Sequence, residues 1–195
     1  MDSVELITRV RHLLDDPAPG AVSDAEIQNA LTAGLDETAL MLLSEGRHAS
    51  LRPLMKRFEH SSLDLPETPL PDDCLKILSV AFASGAQEAS FRRYRMIRNN
   101  TKGELSNKLL PPENYCQIIG GTIIFEGDFT PPGSCHGIYL MSPGSVPKGE
   151  ATPVPLEWFN TAVQYAFASL LRTYGEQGEA LQQYQLWKEM VMRLP

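Results

Sequence analysis

Apolar residues recur at three- and four-residue steps at both ends of this chain, and in short proline-bounded runs between them. Val4, Leu6, Ile7, Val10, Leu13 and Leu14 mark a first amphipathic helix. Asp15-Asp16-Pro17-Ala18-Pro19-Gly20 ends it, because two prolines and a glycine so close together cannot continue a helix. Ser23 opens a second helix. Its hydroxyl is placed to accept from the Glu26 N–H while the Glu26 carboxylate reaches back, a capping box. Ile27, Leu31, Leu35, Thr38 and Leu42 form its buried stripe, and Gly46 supplies the stop. The helical period resumes after Pro155, a residue suited to a first helical turn. Phe159, Val163, Ala166, Phe167, Leu170 and Tyr174 then share one face. A break at Gly175 and Gly178 separates a last helix, where Ala180, Tyr184, Trp187, Val191 and Leu194 step close to a heptad seam.

From Leu51 to Gly149 the pattern changes. Prolines recur at 53, 66, 69, 71, 111, 112, 131, 132, 143 and 147, and the runs between them favour strands. Leu75–Phe82 predicts a central strand, with further strands at Phe91–Ile97 and Ile138–Met141. Tyr115–Ile119 and Thr122–Phe125 flank Gly120-Gly121, a pair suited to positive φ and therefore to a hairpin. The expected fold class is α+β: a helical bundle from the N- and C-terminal helix pairs, residues 1–50 and 154–195, with an inserted antiparallel β-rich module over residues 51–153. Four helices with apolar stripes must bury them, and one another is the economical solution.

A net charge of −7 speaks against nucleic-acid binding as the main activity, since phosphate contacts need a supply of cations. Three cysteines at wide spacings fit a reducing compartment better than a disulfide framework. The acidic start Met1-Asp2-Ser3-Val4-Glu5 lacks the basic and apolar regions of a signal peptide, and no run approaches the ~18–20 apolar residues that cross a bilayer, so no membrane partner is expected. Catalytic signals are sparse. There is no nucleophile elbow and no phosphate-cradling loop. His12, His48, His60 and His136 hold no metal-ligand spacing. Cys116, Cys135 and His136 make a conceivable ligand set, but adjacent residues of a strand point to opposite faces, which leaves a buried thiol beside a surface imidazole. Asp72-Asp73 after Leu70-Pro71 fits a turn or a helix cap. The expectation is no catalytic residue, no metal and no cofactor.

The local charge anomaly is residues 91–108, where Arg92, Arg93, Arg95, Arg98, Lys102 and Lys108 stand against the lone Glu104. Three readings are open: cations guarding a strand edge, a docking surface for an acidic neighbour such as another copy of the chain, or contacts to phosphates in a nucleic-acid-binding regulatory protein. Trp158, Phe159, Tyr184, Trp187 and Val191 form a helical seam, serving either as core or as anchors in a partner's pocket.

The order of these elements resembles the head-to-tail adaptor (connector) proteins of tailed bacteriophages, especially the tail-tube adaptors of short-tailed phages. The likeness rests on the short first helix, the helix start Ser23-Asp24-Ala25-Glu26-Ile27, and Leu70-Pro71-Asp72-Asp73-Cys74-Leu75-Lys76-Ile77 running into a strand with Val80 near its end. That stretch is similar to the family's Leu-Pro-Asp-x-x-Leu-Arg-x-x-x-Val. The closing helices from Leu156-Glu157-Trp158-Phe159 continue the likeness, whereas Val22 stands where such adaptors often have an aromatic. The resemblance implies a structural virion protein with no enzymatic activity, made in the host cytoplasm and sited at the head–tail junction. It implies a ring, commonly a dodecamer, that binds the portal protein and the tail tube or nozzle protein while DNA passes non-specifically through the lumen.

Overall fold

Apolar spacing and capping chemistry at the two ends of the sequence produce long helices, and the strand-forming middle produces sheets. The computed structural model describes residues 3–16, 20–83, 92–96, 115–126, 131–144 and 154–195. Among these the fold is mixed, with five α-helices and two small, mainly antiparallel sheets. The chain divides into two compact units: residues 1–54 with 142–195, and residues 55–141.

In the first unit, α1 (Ser3–Leu13) buries Leu6 and Val10. Val4, two residues from Leu6 and so about 200° around the helix, is 65% exposed, as is part of Leu13 at the helix end. Arg11 of α1 is itself buried. Its guanidinium donates to the Val22 carbonyl at 3.0 Å and pairs with Asp16 and Asp24, which fixes the connection into α2 (Asp24–Ser44). The capping box forms as the sequence predicts: the Glu26 N–H donates to Ser23 Oγ at 3.2 Å, and the Ser23 N–H donates to Glu26 Oε2 at 2.8 Å. The whole predicted stripe Ile27, Leu31, Leu35, Thr38 and Leu42 is buried. Gly46 ends the helix at φ +72°, and a short α3 (His48–Leu51) follows, which periodicity did not foretell.

Pro155 is the N-cap of α4 (Leu156–Thr173) rather than a helical residue, with ψ at 155°. Its fixed φ directs the chain into the helix from just outside. Trp158, Phe159, Val163, Ala166, Phe167 and Leu170 are buried, but Tyr174 is half exposed and its hydroxyl donates to the Ala21 carbonyl at 3.1 Å. Gly175, at φ +94°, makes the break alone, since Gly178 lies inside α5 (Gln177–Met192). Helices α2 and α4 approach closely at Gly34: a Cβ there would stand 2.9 Å from the Ala162 carbonyl oxygen. Beside that contact Thr38 and Thr161 share a buried hydrogen bond of 3.1 Å, and the hydroxyl that accepts it donates its own proton to a carbonyl of its helix. Arg47 donates to the Met192 carbonyl at 2.9 Å and to that of Leu194, satisfying acceptors that the end of α5 leaves open.

The second unit comprises β1 (Met55–Leu63), β2 (Glu67–Pro69), β3 (Cys74–Ala83), β4 (Arg92–Met96), β5 (Tyr115–Ile119), β6 (Thr122–Glu126) and β7 (Gly133–Met141). The ladder runs β1-β7-β3-β4-β5-β6-β2, and all pairings are antiparallel except the short β4–β5 contact that joins the two sheets. β3 is central as expected. Gly120 and Gly121 take φ +57° and +81° in the tight β5–β6 turn. One core gathers Phe58, Ile77, Val80, Phe82, Cys116, Ile123, Phe125, Cys135 and Tyr139 from β1, β3, β5, β6 and β7. Phe82 and Phe125 stack within it at 4.3 Å. Gly137 lets the Phe58 ring lie against the β7 backbone, since a Cβ there would fall 2.5 Å from a ring carbon.

Candidate functional site

The basic stretch reaches the structure only in part. Arg92, Arg93 and Arg95 lie on β4, where the ladder pairs Arg92 with Phe82 and Arg93 with Ala81 of β3, and Arg95 with Tyr115 of β5. Their side chains, and the whole of Arg98, Lys102 and Lys108, lie outside the described residues. The helical seam residues Trp158, Phe159, Trp187 and Val191 are buried inside the first unit, and Tyr184 is half-buried. Tyr165 bridges the seam, with its ring edge-on to both Tyr184 and Trp187.

Strand alternation sorts the conceivable metal ligands. Cys116 and Cys135 are fully buried in the strand core, while His136 is exposed on the opposite face. Burial pushes both thiols up to about 12, so neither is a ready thiolate at neutral pH. Among the described residues, no three or more His, Cys, Asp or Glu side chains are grouped to hold a metal ion.

Asp73 occupies a turn, as one of its two predicted roles required: the Cys74 N–H donates to the Pro71 carbonyl at 2.9 Å. Its carboxylate receives Lys56 Nζ at 2.7 Å and the Tyr139 hydroxyl at 2.8 Å. These two donors hold its pKa below the usual carboxylate value, while burial and the facing carboxylate push Tyr139 up to about 12. Lys56 and Tyr139 are direct cross-strand partners on β1 and β7. The cluster therefore staples three segments together. Spacing along the chain gave no sign of it, because its members are far apart in sequence.

The opposite face of the same strands carries a hollow of about 580 Å³. Two ladder rows build it: Arg57, Ile138 and Ser79 in one, Glu59, His136 and Ala81 in the next. Longer side chains on β1 and β7 stand to one side of the small Ser79 and Ala81 of β3, the neighbour of β7. Arg57, Glu59, His136 and Ile138 are exposed along the hollow. Its described lining mixes apolar and charged side chains. Sequence reasoning missed it because its residues alternate with core residues and only the register brings them together. Among the described residues, no helix is long and apolar enough to cross a membrane. No protein-family model matches the chain, and no curated protein matches it.

Proposed function

We propose that this protein is a structural virion subunit, a head–tail adaptor whose copies form a ring between the portal and the tail and let DNA pass through the lumen. In this reading a helical bundle is the scaffold of the ring, and the inserted β module is its contact arm. One observation carries the proposal: the two ends of the chain belong to a single unit, while residues 55–141 form another between them. A discontinuous scaffold of this kind holds its insertion by two strands of chain, which suits a subunit that presents an arm to neighbours.

Ring closure needs a face on each subunit that fits a different face of the next. The three arginines of β4, on a chain of net charge −7, supply one half of such a complementarity. The same acidic balance, repeated around a ring, would repel DNA phosphates and let the duplex slide. The role is structural rather than enzymatic, with no cofactor.

Electron microscopy of the purified protein with and without a portal tests the reading. The expected images are rings, alone or templated on the portal. Replacing Arg92, Arg93 and Arg95 with Glu should leave the circular dichroism spectrum unchanged and abolish docking. Monomers that ignore every portal offered, or unimpaired docking by the triple variant, would reject the scheme.

A further inference from the structure

We draw no further inference here: the strongest candidate, the hollow on the face of β1, β7 and β3 opposite the strand core, has a described lining in which the charges of Arg57 and Glu59 cancel, and nothing in the structure shows what covers it.

Discussion

Trp187 stands where three helices of its unit meet. It belongs to α5, its indole N–H points to Thr38 Oγ1 of α2 at 3.4 Å, and its ring lies 5.1 Å from that of Tyr165 on α4. Thr38 in turn bonds Thr161, so the indole closes a small buried polar network around an otherwise apolar seam. Trp187→Ala removes the ring and leaves that network beside a void. Chemical denaturation should show a loss of about 3–5 kcal/mol. Unchanged stability with lost assembly would instead make the side chain an anchor for a partner. The heptad-like spacing of Ala180, Trp187 and Val191 made this position legible in the sequence. The threonine pair was not legible, because a buried hydroxyl has the same spacing as an exposed one and its partner lies on another helix.

At the scale of elements, the long helices were readable because each carries a full apolar stripe and an identifiable start or stop. The strands were readable where turns or apolar runs punctuated them, as at Gly120-Gly121 and Leu75–Phe82. β1 was not. Its sequence, Met55-Lys56-Arg57-Phe58-Glu59-His60-Ser61-Ser62-Leu63, buries only Phe58, so alternation has too few apolar positions to show. β7 starts five residues earlier than the predicted Ile138 because its inward positions include Gly133, Cys135 and Gly137, whose small side chains hide the period. The link between β1, β7 and the turn before β3 is the Lys56–Asp73–Tyr139 cluster, and it gives the strand unit a defined pH response. The depressed Asp73 pKa means that its contribution is complete above the ordinary carboxylate value and disappears as pH falls through the folded-state value. Tyr139, raised from 10.0 to about 12, contributes fully below its ordinary value and loses that contribution as pH rises toward 12. Asp73→Asn should therefore flatten the acid limb of a stability–pH curve. At neutral pH it should cost less than about 1 kcal/mol, since both charged partners are substantially exposed. An unchanged acid limb would show that the cluster is not coupled to folding.

At the scale of the whole molecule, the ends of the strand unit meet. Met55, its first residue, is the cross-strand partner of Leu140, next to its last. Paired residues in an antiparallel ladder stand about 4.5–5.5 Å apart, so a linker of a few residues spans the gap. Replacing residues 55–141 with a short Gly/Ser linker should leave a helical protein that melts cooperatively, as followed by circular dichroism at 222 nm. Loss of cooperative melting would show that the helices need the strands in order to fold.

That adjacency of Met55 and Leu140 also governs how the chain can change over time. A segment whose two ends share one doorway can be lengthened, shortened or exchanged for a different one without rethreading the helices around it. Changes among the strands need not disturb Gly34, Thr38, Thr161 and Trp187, which stay fitted to one another's shape within the helical unit. Such an arrangement would tolerate change within the doorway more readily than outside it.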